Sequence, residues 1–223
     1  MPVITIDYFT DILCIWAYIA QRRIDELEQE FGSQVKVISQ FFPVFGNTKK
    51  KMATQWQTRG GFEGYAHHVQ TIAKSFDHTS LHPDVWSSNA PSSSLQSHLY
   101  LAAIKSLVMD DQCDHTSIAK AAGLLREAFF CHAQNIADAN ILDHILEKNN
   151  FDIASIKTKI LNGDAFAVMS EDMKMAMELN VRSSPTMIFN EDRQRLSGNV
   201  GYKIIQANIR ELIDSPKKQQ SWC

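Results

Sequence analysis

No two of the four cysteines in this 223-residue sequence stand in a C-x-x-C pair. Cys14, Cys113, Cys131 and Cys223 are scattered, and no Cys/His group has zinc-finger spacing, so no metal site is expected. Long hydrophobic runs are missing too: nothing approaches the roughly 18 apolar residues that a membrane-spanning helix needs. The N-terminus lacks a basic region followed by an apolar stretch and a small-residue cleavage site, so no secretory signal is read there. Charge of one sign is also missing. With 22 Lys+Arg against 25 Asp+Glu, the net charge of −3 argues against nucleic acid or a membrane surface as the main partner. The one basic run, Lys49-Lys50-Lys51, reads as a solvated loop. Gly-rich phosphate loops, dinucleotide fingerprints and nucleophile-elbow serines do not occur. Neither do internal repeats or low-complexity tracts. The absences leave a globular cytoplasmic protein whose cysteines are free thiols in a reducing compartment.

What is present has clear order. A composition of 44% hydrophobic and 21% charged residues suits a packed core, and the length suits one large domain or a small one carrying an insertion. Val3 to Phe9 is β-branched and apolar, about the length of a buried strand. Thr10-Asp11 breaks it, and a helical pattern runs from about Cys14 to Phe31, with Ile24, Leu27 and Phe31 as its apolar stripe. Gly32 suits a C-terminal stop, and Val35 to Phe42 reads as a second strand closed by Pro43. This is a βαβ unit, hence a parallel pair.

Residues 44–61 read as loop, and roughly 47–162 as helices. Ser92-Ser93-Ser94 offers hydroxyls for a helix start. Ile118, Ala121, Ala122, Leu125, Ala128 and Phe129 make a helix face. Beyond Gly163, Asp164 to Leu179 is a helix with Phe166, Met169, Met173, Ala176 and Met177 facing inward. Two short strands, Thr186–Asn190 and Arg193–Ser197, flank a tight turn, and an amphipathic helix over Tyr202–Ile213 follows. The expected architecture is therefore an α/β domain of residues 1–46 and 163–215, interrupted by an all-α-helical insertion of residues 47–162, with a mobile tail at 216–223.

The chemistry concentrates at the first strand-to-helix turn. Cys14 stands where the chain enters the helix, and unpaired N–H groups and the dipole there stabilise negative charge. A cysteine so placed should be a thiolate near neutrality, although the same position also suits an inert core cysteine. In the second half Pro185 stands just before a strand. It cannot serve a central strand, and marks a bend, an ordinary turn or a cis bond.

Together these residues resemble the DsbA-like family of thioredoxin-fold oxidoreductases. The nearest subgroup is the cytoplasmic FrnE-like one, which neighbours the kappa-class glutathione transferases and the 2-hydroxychromene-2-carboxylate isomerases. The family segment runs approximately Asp-x-x-Cys-Pro-Trp-Cys-Tyr, and here it reads Asp11-Ile12-Leu13-Cys14-Ile15-Trp16-Ala17-Tyr18. The family's cis-proline and threonine correspond to Pro185-Thr186, preceded by Ser184. The resemblance spans the chain and implies a thioredoxin fold with a helical insertion. Two departures stand out: Ala17 replaces the resolving cysteine, and Ile15 replaces proline. A dithiol enzyme resolves its mixed disulfide internally. A one-cysteine site would need an outside thiol such as glutathione, or a distant cysteine, of which Cys223 has the freest tail.

The resemblance implies thiol–disulfide chemistry at Cys14, with a disulfide-containing protein or a small thiol as partner, no tightly bound cofactor, and a monomer or homodimer. An alternative is a glutathione-dependent transferase or isomerase. The backbone of Ser184 would then hold the tripeptide, and Gly198, Asn199 and Val200, at the start of the last helix, would receive its glutamyl carboxylate. A third reading is a non-catalytic, peptide-binding descendant. His78 and His82, four apart, could share a helix face as metal ligands, but Pro83 follows directly and no third ligand stands at a telling spacing; Cys113 and Cys131 read as inert residues of the insertion.

Overall fold

The structure, a computed structural model, describes residues 3–215. The expected tail at 216–223, with Cys223, lies outside the described residues.

Strand β1 (Ile4–Thr10) leads through a tight turn into helix α1 (Ile15–Phe31) and back to strand β2 (Val35–Phe41), parallel to β1 with Ile4 opposite Val35 and Thr10 opposite Phe41. Late in the chain, β3 (Thr186–Phe189) pairs antiparallel with β1, and β4 (Gln194–Ser197) pairs antiparallel with β3, giving the order β2-β1-β3-β4. The connection between β3 and β4 holds Asn190, Glu191 and Asp192 at positive φ. Helix α9 (Tyr202–Asp214) closes the fold. This is a thioredoxin-like fold, and the chain between β2 and β3 carries the helical region.

The sheet separates two apolar layers because alternate strand side chains point to opposite faces. On one face Ile4, Ile6 and Tyr8 of β1 pack with Ile24, Leu27 and Phe31 of α1 and Ile205, Ile209 and Leu212 of α9. The three α9 residues recur at helical spacing and are fully buried; each contributes about 1.5–3 kcal/mol. On the other face Phe9 and Ile188 pack with Phe42, Ala176 and Val181.

Seven helices fill the region between β2 and β3: α2 (Thr48–Gln55), α3 (Gly61–Ala73), α4 (Leu95–Met109), α5 (Thr116–Phe130), α6 (Ala139–Lys148), α7 (Ile153–Leu161) and α8 (Asp164–Glu178). Their core is continuous with the α1 entrance: Ile12, Leu13, Cys14 and Ile15 belong to the same cluster as Trp86, Leu101, Phe129 and Leu146. Helix α4 is buried on nearly every side, from Ser97 to Ile104 without a break.

The structure corrects the sequence reading in three places. Residues 44–61 are not all loop: Asn47 caps α2 by accepting a 2.9 Å bond from the Lys50 amide. The lysine run therefore lies on a helix, and Lys51 sits over the Phe45 ring at 4.8 Å, half-buried rather than solvated. In α8, Phe166 and Met177 are exposed at 51% and 79%, and the buried positions are Ala165, Asp172 and Ala176. A buried polar partner drives this choice: Asp172 meets Lys105 at 2.6 Å and accepts the Phe41 amide at 3.0 Å, which ties α8 to both α4 and β2. His78 and His82 lie in the loop after α3, not on a helix. His78 Nε2 meets the Ile19 carbonyl, and His82 Nδ1 accepts the Asp84 amide.

Candidate active site

Cys14 is the N-cap of α1, with extended backbone (φ −82°, ψ 118°), and its carbonyl accepts the first helical bonds from Ala17 and Tyr18. Its thiol donates to the Ser184 carbonyl at 3.1 Å. The Ser184–Pro185 peptide bond is cis, and Thr186 opens β3 beside it. Cys14, Ser184, Pro185 and Thr186, 170 residues apart in the chain, thus form one constellation.

The helix start did not make this thiol acidic. Cys14 is only 6% exposed, and burial pushes its thiol above the ordinary cysteine value. The Ser184 side chain and the Ala17 amide pull the other way, and the Asp11 carboxylate adds to the rise. The expectation of a thiolate near neutrality is corrected on this point: desolvation outweighs the dipole of a helix end that is packed into the core.

Asp11 organises the turn. It is fully buried, and its carboxylate accepts the Leu13 amide at 2.8 Å, the Phe45 amide at 2.7 Å and the Ser94 hydroxyl at 2.9 Å. The Asp11 amide donates to the Ser184 hydroxyl at 2.9 Å, so this residue ties the cysteine turn to the cis-proline loop. Ser94 was read as a helix cap, but its hydroxyl caps nothing and is spent on Asp11.

Two further groups lie behind the turn. His98, fully buried on α4, accepts the Ile12 amide on Nε2 at 3.2 Å, which puts the proton of the neutral ring on Nδ1, an atom without a partner. Burial pushes the ring's pKa down despite Asp11 3.8 Å away. Arg126 of α5, 2% exposed, reaches Gln21 of α1 and donates to the Thr10 hydroxyl at 2.8 Å, and its Nε has no partner. Asp11 stands in the segment that resembles the family, but the sequence marks it only as the end of a strand. His98 and Arg126 were missed; their signal was a polar residue beside an apolar run, His98 before Leu99–Ile104 and Arg126 after Leu124-Leu125.

The other predicted residues fall into separate places. Ile15 and Ala17 are buried in the core, and Trp16 packs edge-on against Phe76 at 6.2 Å. Tyr18 stacks on Phe130 at 4.7 Å, and its hydroxyl meets the Cys131 sulfur at 3.1 Å. Gly198 and Val200 adjoin Pro185, and with Asn199 they precede the helix, whose N-cap is Gly201. The Gly198 amide already donates to the Pro185 carbonyl at 2.8 Å, and the Asn199 side chain accepts from Arg23 at 2.6 Å. The hollow between Ala20, Pro185, Gly198 and Val200 is about 10 Å³, room for one water at most.

Comparison with known proteins agrees with this geometry. Residues 5–210 match the model of the DSBA-like thioredoxin domain. Among curated relatives, the ClpXP adapter protein SpxH of Bacillus subtilis (strain 168) is 26% identical over 103 residues, 44% of this chain. The match spans 34% of that relative, so the chain covers about a third of its length. Among solved structures, a putative protein disulfide isomerase from Nitrosomonas europaea superposes with a TM-score of 0.75 at 10% identity, covering 95% of this chain and 98% of that one. A 2-hydroxychromene-2-carboxylate isomerase gives 0.68 at 14% identity over 97% and 100%. The cytosolic disulfide reductase DsbM of Pseudomonas aeruginosa, solved with GSH, gives 0.63 at 12% identity over 96% and 100%. The chain belongs to the DSBA-like thioredoxin domain family.

Proposed function

We propose that the protein is a monothiol thiol–disulfide oxidoreductase in which Cys14 exchanges with glutathione or a glutathionylated partner. The observation that carries this reading is the Cys14 thiol held 3.1 Å from the carbonyl that precedes cis-Pro185, with alanine in the resolving position. The step is Cys14–SH plus a glutathionylated partner giving the Cys14–glutathione disulfide plus the partner thiol; oxidised glutathione serves as the simplest model of that partner. The Cys14 proton passes to solvent, the new S–S bond forms as the old one breaks, and the departing thiolate takes up a proton. A free glutathione then attacks the adduct, so that Cys14 leaves as the thiol and the two glutathiones leave as oxidised glutathione; the net change is removal of glutathione from the partner. Because the thiol pKa is raised, the thiolate fraction at neutral pH is small and attack accelerates as pH rises. A cytoplasmic setting fits a reaction that draws on a glutathione pool, and the cytosolic DsbM likeness supports it.

The test is incubation with oxidised glutathione across pH, with the adduct located by mass spectrometry. One glutathione on Cys14, formed faster toward alkaline pH and lost in Cys14→Ser, is expected. A native protein that forms no Cys14 adduct at any pH refutes the proposal. Saturable glutathione binding that survives Cys14→Ser would instead indicate the transferase or isomerase chemistry.

The 6% exposure of Cys14 favours a second reading, a partner-binding descendant in which the thiol is a packing residue. The likeness to a ClpXP adapter protein supports that reading. It requires that Cys14 be alkylated only on unfolding, which the same mass spectrometry reads in denaturant.

A further inference from the structure

Ionising Cys14 places a second negative charge beside Asp11, a fully buried carboxylate. Two like charges in a low-dielectric surrounding repel strongly, yet thiol exchange needs the thiolate. The other titratable and charged groups around this pair come from the neighbouring elements. Tyr8 of β1 and Tyr65 of α3 are phenols whose pKa burial pushes up, so both are neutral at neutral pH. The His98 ring of α4 is neutral as well, and Arg126 of α5 is bonded to Gln21 and Thr10. The remaining group is Lys51 of α2.

Lys51 is half-buried, and its Nζ lies 4.8 Å from the centre of the Phe45 ring. Phe45 is fixed on both sides: its amide donates to the Asp11 carboxylate at 2.7 Å, and its carbonyl accepts the Ser94 amide at 3.0 Å. The ammonium therefore sits over the residue that is bonded directly to Asp11. Among the described residues it makes no hydrogen bond and has no carboxylate within 4.0 Å. Burial pulls its pKa below the ordinary lysine value, and the negative charges of Asp11 and Cys14 oppose that fall. Asp11 already accepts three donors, which leaves the Cys14 sulfur as the anion still without a counter-charge. Lys49 and Lys50, beside Lys51 in the chain, are exposed.

We propose, resting on the reading of Cys14 as an exchanging thiol, that Lys51 is a positioning residue whose fixed positive charge stabilises the Cys14 thiolate. It transfers no proton: the thiol proton leaves the Ser184 carbonyl for solvent, and the ammonium keeps its own three. A half-buried charge is screened less than an exposed one, so Lys51 acts where Lys49 and Lys50 do not. Its effect offsets part of the burial penalty on the thiolate and does not abolish it.

The experiment compares the whole wild-type protein with Lys51→Met, Lys51→Arg and Lys50→Met. Iodoacetamide labelling of native Cys14 is followed by peptide mass spectrometry between about pH 7 and 8.5, where the rate tracks the thiolate fraction. Lys51→Met should label more slowly at each pH, by about threefold or more, whereas Lys51→Arg should stay within about twofold of the wild type. Lys50→Met loses the same net charge from an exposed position and should match the wild type. A lysine that merely covers the thiol gives the opposite sign, because removing it speeds labelling. Unchanged or faster labelling in Lys51→Met overturns the proposal, as does equal slowing in Lys50→Met or a native Cys14 that does not label. Oxidised glutathione run in parallel separates the two claims. Slowed labelling in Lys51→Met with no glutathione adduct in the wild type supports the role of Lys51 and refutes the exchange; an adduct with unchanged labelling does the reverse.

Discussion

Two segments flank cis-Pro185, and they are built in opposite ways. On one side the Asp11–Cys14 turn is buried, with three donors converging on a single carboxylate, one from the loop after β2 and one from the entrance of α4. On the other, Gly198–Val200 lies near the surface and is held by one amide bond to Pro185 and one side-chain bond to Arg23. The contrast shows where the helical region acts on the site. Through Phe45, Ser94 and His98 it packs behind the turn, and burial of the Cys14 thiol raises its pKa. The opposite segment owes nothing comparable to the helices.

The strongest way to break the contrast is Asp11→Ala. It strands three donors in the core, each costing about 1–3 kcal/mol, so we expect a loss of about 3 kcal/mol or more by urea denaturation. A loss below about 1 kcal/mol would mean that the turn does not depend on this carboxylate. Ser94→Ala removes one donor and keeps the carboxylate, with an expected cost of about 2 kcal/mol. A value near zero would reduce the Ser94 contact to coincidence.

His98 sharpens the comparison through pH. Its folded pKa is depressed by burial, so the ring favours folding in its neutral form. That stability is present above the unfolded value near 6.5 and is lost as pH falls below it, by up to about 1.4 kcal/mol per pH unit. The stability curve of the wild type should therefore fall more steeply between about pH 6.5 and 5 than that of His98→Gln. Parallel curves would show that His98 does not carry this acid sensitivity. The smallest effect belongs to the other segment: Asn199→Ala removes an exposed bond and should change stability by less than about 0.5 kcal/mol. A change above about 1 kcal/mol would erase the distinction drawn between the two sides.

Much of this was readable in the chain. The βαβ start, the return to strands after Gly163 and the last helix all appear as runs and periodicities, because strands and amphipathic helices repeat at 2 and 3.6 residues. The errors fell where tertiary partners override local pattern. Of the inward face read for α8, Ala176 is buried and Met169 packs against the core, but Phe166 and Met177 are exposed, and Asp172 turns inward to meet Lys105 and the Phe41 amide. The lysine run looked like loop because charge hides the cap at Asn47 and the ring of Phe45 beneath Lys51.

At the site the division is similar. The sequence by itself determined that Cys14 begins a helix after a strand, that Ala17 leaves it without a resolving partner, and that Pro185 precedes a strand. These are matters of order along the chain, which residue types and spacing record directly. Only the tertiary structure decided the state of the thiol. Its pKa depends on how much water reaches it and on which dipoles and charges surround it, and those come from Ser184, Asp11 and a helical core many residues away. A helix start predicts an acidic cysteine only when it opens to solvent, and here the core of the fold closes over it.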